Sequence, residues 1–140
     1  MSLYMSANST NISLMANDKK KVLVVEDEKV VSDALRQKFD LEGFETTVAP
    51  NGTYALEYLK NEKFDLILLD LVMPVMDGFK FLAELEINQQ LNDAPIVILS
   101  NLQRESNEVK ALPDEYRAHY MVKTDTKLTE IIENVKKQLN

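Results

Sequence analysis

The sequence predicts an α/β fold in which five parallel strands form one doubly wound sheet flanked by five helices. Short apolar runs alternate five times with segments of helical apolar spacing, the pattern of strands buried in a parallel sheet beneath helices. The length of 140 residues suits a single domain. With 45% hydrophobic residues and no cysteine, such a domain forms its core without disulfides or a zinc site.

The strands are predicted from short apolar runs. They cover residues 22–25, 44–49, 65–69, 96–99 and 118–122. The Asn51-Gly52 turn follows the second strand, and Pro95 precedes the fourth. The predicted strands are therefore separated by turn signals and by helical segments.

The helices are predicted from apolar residues three and four positions apart. These residues lie within 31–41, 55–59, 81–85, 109–112 and 128–139. Gly43 is expected to cap the first helix, Gly78 to open the third and Pro113 to end the fourth. The last helix has the clearest amphipathic stripe, and residues 124–126 supply its N-cap.

The charge balance and the length of the apolar runs each argue against one class of partner. The chain has 23 acidic and 16 basic residues and a formal net charge of −7, whereas nucleic-acid binding depends on clustered Lys and Arg. The longest apolar runs are quartets, far short of the roughly 20 residues of a membrane span. We expect no direct nucleic-acid binding and no membrane insertion.

The first residues differ in composition from the rest of the chain. Residues 1–17 carry no charged side chain, are rich in Ser, Asn and Thr, and lack the basic start and continuous apolar stretch of a secretion signal. We expect residues 1–18 to be a disordered tail and residues 19–140 to form the domain, located in the cytoplasm.

Polar residues follow four of the predicted strands. The first strand ends in Glu26-Asp27, the third in Asp70, the fourth in Ser100 and the fifth in Lys123. A doubly wound sheet collects such groups on one rim, beyond the carboxyl ends of its strands. Three carboxylates, a hydroxyl and an ammonium suit a divalent cation and a phosphoryl group, with Asp70 as the candidate nucleophile.

Four ordered motifs carry a family resemblance. They are residues 24–28, 70–78, 98–100 and 120–123. Together they make residues 21–139 similar to the CheY-like receiver domains of bacterial two-component response regulators. The resemblance implies a flavodoxin-like sheet with the strand order 2-1-3-4-5.

The resemblance also implies a chemistry. Asp70 would accept phosphate from a histidine kinase or a phosphotransfer protein. Mg²⁺ would be ligated by Asp27, Asp70 and the backbone carbonyl of Val72, with Glu26 acting through water, and Lys123 would contact the phosphate. The protein would then act as a phosphorelay signalling component.

A conformational switch follows from the same resemblance. Ser100 would move toward the phosphate and Tyr120 would turn inward, changing a surface around the fourth helix, fifth strand and fifth helix. A downstream protein would bind this surface, and the chain would be a monomer or a phosphorylation-dependent dimer.

Other function classes fit the same residues less well. The acidic loop Glu26-Asp27-Glu28 repels the phosphate of a flavin or a dinucleotide. Val72 occupies the position where an aspartyl-phosphate hydrolase needs a second aspartate, so we do not expect an enzyme acting on a free substrate. The alternative left open is a receiver-fold interaction module without physiological phosphorylation.

Overall fold

One sheet of five parallel strands, in the order β2-β1-β3-β4-β5, forms the centre of the computed structural model, which describes residues 18–140. The strands are β1 (Lys21–Val25), β2 (Glu45–Ala49), β3 (Leu66–Leu69), β4 (Ile96–Ser100) and β5 (Tyr120–Val122). The register pairs Val22 with Thr46 on one side and with Leu66 on the other. The predicted fold class and strand order are confirmed. Of the predicted tail at residues 1–18, all but Asp18 lies outside the described residues.

Six α-helices flank the sheet in the described part of the chain. They are α1 (Lys29–Leu41), α2 (Gly52–Asn61), α3 (Gly78–Ile87), α4 (Asn107–Lys110), α5 (Asp114–Arg117) and α6 (Leu128–Leu139). A 3₁₀ turn at Lys123–Asp125 joins β5 to α6. Gly43 has φ +90°, which agrees with its predicted role after the first helix.

The helix count differs from the predicted five because the segment before β5 contains two single turns. Pro113 follows α4 and is the N-cap residue of α5, where its carbonyl accepts hydrogen bonds from the N–H groups of Tyr116 and Arg117. Proline lacks an N–H, so it ends the first turn but is well suited to start a second. This extra turn also delays β5, which begins at Tyr120 rather than at residue 118.

The two faces of the sheet each have a hydrophobic core. Side chains alternate along β1, so Val22 and Val24 face one side while Leu23 and Val25 face the other. Helices α1 and α6 cover the first face, and α2 and α3 cover the second. With both faces covered, the carboxyl ends of the strands form an exposed edge where polar groups collect.

Among residues 18–140, no helix combines the length and the apolar composition that crossing a bilayer requires.

Candidate functional site

Three charged side chains meet at the carboxyl ends of β1, β3 and β5. The Nζ atom of Lys123 lies 2.6 Å from Glu26 Oε1 and 3.0 Å from Asp70 Oδ2. Glu26 and Asp70 are only 3% and 5% exposed. Backbone hydrogen bonds fix both residues at their strand ends, because the Glu26 N–H donates to Ala49 and the Asp70 N–H donates to Val25. Three of the five groups predicted at this rim therefore meet, and the two buried carboxylates share one ammonium.

Asp27 completes a cluster of oxygen donors. One carboxylate oxygen from each of Glu26, Asp27 and Asp70 lies within 4.8 Å of the other two, which suits a metal ion. Asp27 is exposed, so the cluster opens to solvent on that side. Carboxylate oxygens are the ligands that hard divalent cations prefer. The cluster therefore fits the metal site predicted from the sequence.

The backbone of Val72 lies beside the side chain of Asp70. Its N–H donates to Asp70 Oδ1 over 3.2 Å, while its side chain is 55% exposed. The backbone after β3 thus turns around the Asp70 carboxylate. Metal ligation by the Val72 carbonyl stays a prediction.

Burial and the hydrogen bond between Glu26 and Lys123 shift the pKa values of both residues. Burial raises the pKa of Glu26, against the hydrogen bonds from Lys123 and from the Glu28 N–H. For Lys123, burial alone would lower the pKa, but the hydrogen bonds to Glu26 and Asp70 outweigh it and raise the pKa. Lys123 therefore stays an ammonium at neutral pH and balances part of the carboxylate charge.

The loop between β3 and α3 is tightly folded against Asp70. A Cβ atom on Gly78 would lie 2.5 Å from the Asp70 carbonyl oxygen and 2.7 Å from Leu71 Cα. The Gly78 N–H donates to the Leu71 carbonyl, and Asp77 caps α3 by accepting from the Lys80 N–H over 2.9 Å. Only glycine allows the start of α3 to approach the strand end this closely.

Val75 adopts a left-handed backbone conformation in the same loop. Its φ is +68°, and its side chain is 85% exposed. A β-branched residue in this region is strained, because its Cβ substituents clash with the backbone. The loop that follows Asp70 therefore contains a strained residue with no compensating burial.

Ser100 and Tyr120 lie behind this cluster. Ser100 is fully buried, and its Oγ has no hydrogen-bond partner among the described residues. Tyr120 is 2% exposed, its hydroxyl donates to the Leu102 carbonyl, and burial raises its pKa. Tyr120 thus already occupies the inward position that the predicted switch assigns to it, while the movement of both residues stays a prediction.

Two contacts of the site were not predicted from the sequence. Arg104 Nη2 donates to the Tyr120 carbonyl over 2.6 Å, and Glu28 Oε1 lies 3.4 Å from Lys123 Nζ. Glu28 belongs to a recognised motif, but Arg104 lies in an irregular segment that has no periodicity to indicate its partner. The Lys123–Thr124 peptide bond is trans.

The chain matches a known family over most of its length. The profile of the response regulator receiver domain matches residues 22–136. The receiver domain of the Francisella response regulator 1452 superposes with a TM-score of 0.75 at 30% identity, over 86% of this chain and 97% of that chain.

Two further matches carry information about binding and chain length. Thermotoga maritima TrrA, solved with Mg²⁺ and BeF, superposes with a TM-score of 0.71 at 30% identity, over 86% of this chain and 99% of that chain. TrrA is also known in complex with the histidine kinase ThkA. The Pseudomonas aeruginosa transcriptional activator PfeR is 31% identical over 107 residues, 76% of this chain and 33% of that protein. The chain spans about a third of the length of the curated relatives it matches.

Proposed function

We propose that this chain, which belongs to the response regulator receiver domain family, accepts a phosphoryl group on Asp70 from a phosphohistidine, with Mg²⁺ bound beside it. One observation carries the proposal: the buried Asp70 carboxylate lies 3.0 Å from Lys123 Nζ and shares a cluster of oxygen donors with Glu26 and Asp27. The similarity to TrrA, solved with Mg²⁺ and BeF and with a histidine kinase, supports it.

The oxygen donors of the cluster fit Mg²⁺. Asp27 and Asp70 would ligate the ion together with the Val72 carbonyl, and Glu26 would act through water. The ion, when bound, supplies positive charge that neutralises the phosphoryl oxygens. It would also lower the cost of placing three carboxylates within 4.8 Å of one another.

In the transfer step, the ionised Asp70 carboxylate attacks the phosphorus atom of the phosphohistidine. An Asp70 O–P bond forms and the histidine N–P bond breaks, with the electron pair passing to the imidazole nitrogen. The Lys123 ammonium turns from Asp70 Oδ2 toward a phosphoryl oxygen and balances the charge that arrives. The unpartnered Ser100 hydroxyl supplies a further donor to the phosphoryl group.

The same contacts would operate the switch. Phosphate gives the unpartnered Ser100 hydroxyl an acceptor and gives Lys123 a new partner in place of Asp70 Oδ2, so phosphorylation favours the conformation in which both contact it. Tyr120, which is paired with Ile98 two residues before Ser100 on the neighbouring strand, links this contact to a surface formed by α4, β5 and α6. A downstream protein that binds this surface in the cytoplasm would read the signal.

A phosphorylation assay tests the proposal. The full chain is incubated with acetyl phosphate and MgCl₂, and its intact mass is measured. We expect the parent to gain one phosphoryl group, Asp70→Asn to gain none, and omission of Mg²⁺ to prevent the gain. Asp77→Asn, which retains the oxygen that caps α3, is the control and should behave as the parent.

The assay also separates the alternative function. If the parent gains no phosphoryl group and binds no fluoroberyllate in the presence of Mg²⁺, the phosphoacceptor proposal is wrong. The receiver fold would then serve as an interaction module without phosphorylation.

A further inference from the structure

The segment that follows β4 contacts both the side-chain hydroxyl and the backbone carbonyl of Tyr120. The Tyr120 hydroxyl donates to the Leu102 carbonyl, and the Tyr120 carbonyl accepts a hydrogen bond of 2.6 Å from Arg104 Nη2. The Arg104 guanidinium carbon also lies 6.0 Å from the centre of the Tyr120 ring, within the range of a cation–π contact. Because Leu102 and Arg104 both follow Ser100 closely, the position of Tyr120 and the conformation of residues 101–104 depend on each other.

The hydrogen bond from Arg104 satisfies a backbone carbonyl at the edge of the sheet. Strand β5 is an edge strand, and Ile98 on β4 takes the carbonyl of His119 as its acceptor. Successive carbonyls of a strand point to opposite sides, so the Tyr120 carbonyl points away from β4 and has no strand partner. Arg104 supplies a charged donor to this open acceptor, and such hydrogen bonds are stronger than neutral ones.

Ser100 depends on the same segment for its position. Its hydroxyl makes no hydrogen bond of good geometry among the described residues, and the Tyr120 hydroxyl is a polar group beside it. Tyr120 and the backbone on either side therefore set where the hydroxyl lies. On one side is β4, and on the other is the segment anchored to Tyr120 through Leu102 and Arg104.

We propose that Arg104 is a positioning residue for phosphoryl acceptance: it holds Tyr120 inward and thereby keeps residues 101–104, and Ser100 before them, in the arrangement that receives the phosphoryl group. This inference rests on the proposed function of Asp70. Arg104 itself contacts neither Asp70 nor the oxygen cluster; it acts through Tyr120.

The first experiment measures the position of Tyr120 without any phosphorylation. The full chain is labelled with 3-fluorotyrosine, and Tyr120→Phe assigns the Tyr120 resonance in the fluorine NMR spectrum. In Arg104→Met we expect this resonance to move toward the solvent-exposed position. In Arg104→Lys, which keeps the charge and a donor, it should move less. Arg36→Met, which removes an exposed arginine of α1, is the control and should leave it unchanged.

The second experiment measures the consequence for the site by titrating fluoroberyllate in the presence of Mg²⁺. We expect Arg104→Met to weaken binding about threefold to tenfold, the effect of losing one hydrogen bond to a charged group that is partly exposed to water. Arg104→Lys should recover part of this loss, and Arg36→Met should bind as the parent does.

The outcomes separate this inference from the proposed function. An unchanged Tyr120 resonance in Arg104→Met, or a moved resonance with unchanged fluoroberyllate affinity, overturns the role of Arg104. If the parent does not bind fluoroberyllate, the proposed function fails, and with it the role of Arg104 in phosphoryl acceptance. The fluorine spectra then report only whether Arg104 holds Tyr120.

Discussion

At the scale of single residues, Glu26 and Asp27 are neighbours in different environments. Glu26 is 3% exposed and lies 2.6 Å from Lys123, whereas Asp27 is exposed and directed to the open side of the cluster. The chain alone predicts an acidic pair. The family resemblance assigns Asp27 to direct ligation and Glu26 to a role through water, and the fold adds that Lys123 holds the Glu26 carboxylate.

The first prediction concerns metal binding by Asp27. Asp27→Asn should weaken Mg²⁺ binding by about tenfold or more, equivalent to about 1.4 kcal/mol, because it removes a charged ligand. Glu26→Gln should have a smaller effect, since Glu26 acts through water. Calorimetric titration with MgCl₂ checks this, with Asp33→Asn on α1 as the control. An unchanged affinity in Asp27→Asn would show that the metal assignment is wrong.

The second prediction concerns the strain at Val75. Val75→Asn should raise the free energy of unfolding by about 1 kcal/mol, because asparagine tolerates a positive φ far better than a β-branched residue does. Val30→Asn, at an equally exposed position within α1, is the matched control and should change stability little. Urea unfolding of the two variants measures the difference. Equal stabilities of the two variants would argue against strain at Val75.

At the scale of elements, the start of α3 sets the position of the loop after β3. A Cβ atom on Gly78 would collide with the Asp70 carbonyl oxygen, whereas a Cβ atom on Gly43 would meet nothing within 4 Å. Position 43 needs glycine because its φ is positive, whereas position 78 needs glycine because no Cβ atom fits there. Two glycines that look alike in the sequence therefore have different physical roles.

The third prediction compares these glycines. Both Gly78→Ala and Gly43→Ala should destabilise the protein, by about 1 to 3 kcal/mol, through overpacking and backbone strain respectively. Only Gly78→Ala should also weaken Mg²⁺ binding, since it displaces the backbone that carries Asp70. Thermal unfolding and MgCl₂ titration of both variants check this. The same metal affinity in both variants would contradict the role of Gly78.

The fourth prediction uses the contact between α5 and α3. The Tyr116 hydroxyl donates to Glu86 Oε1 over 3.2 Å, and burial together with the Glu86 charge raises the Tyr116 pKa to about 12. The unfolded chain ionises this phenol near pH 10. The contribution of Tyr116 to stability is therefore complete below pH 10 and is lost as the pH rises toward 12.

Urea unfolding between pH 8 and pH 11 measures this contribution. The free energy of unfolding should fall more steeply with pH in the parent than in Tyr116→Phe, which has no phenol to ionise. Parallel pH dependences would mean that the folded and unfolded states ionise Tyr116 alike, and the contact would then carry no pH-dependent stability.

The elements differ in how well the sequence predicts them. Strands such as Leu66–Leu69 are continuous apolar runs, and α6 has an amphipathic stripe, so both are predictable. The single turn Asp114–Arg117 has no fully buried residue, and only Tyr116 packs partly against the core, so the turn has no apolar spacing to indicate it. Arg104 lies in an irregular segment without apolar spacing. Its contact with Tyr120, 16 residues away, is therefore not predictable from the sequence either.

At the scale of the whole molecule, the parallel sheet brings together residues that are far apart along the chain. Asp27, Asp70, Ser100 and Lys123 lie at or just beyond the ends of different strands, and the parallel arrangement brings all four strand ends to one edge. The sequence therefore predicts which residues collect there. It does not predict that Lys123 bridges Glu26 and Asp70, since that depends on side-chain conformations in the folded site.

Borohydride trapping of the phosphorylated chain tests the central claim most directly. Borohydride reduces an acyl phosphate, so a phosphorylated aspartate becomes homoserine, whereas phosphoserine and phosphothreonine do not react in this way. After treatment with acetyl phosphate and MgCl₂, peptide mass spectrometry should find homoserine at position 70 and nowhere else. Homoserine at another acidic position, or a phosphorylated chain with none, would contradict the assignment of Asp70 as the phosphoacceptor.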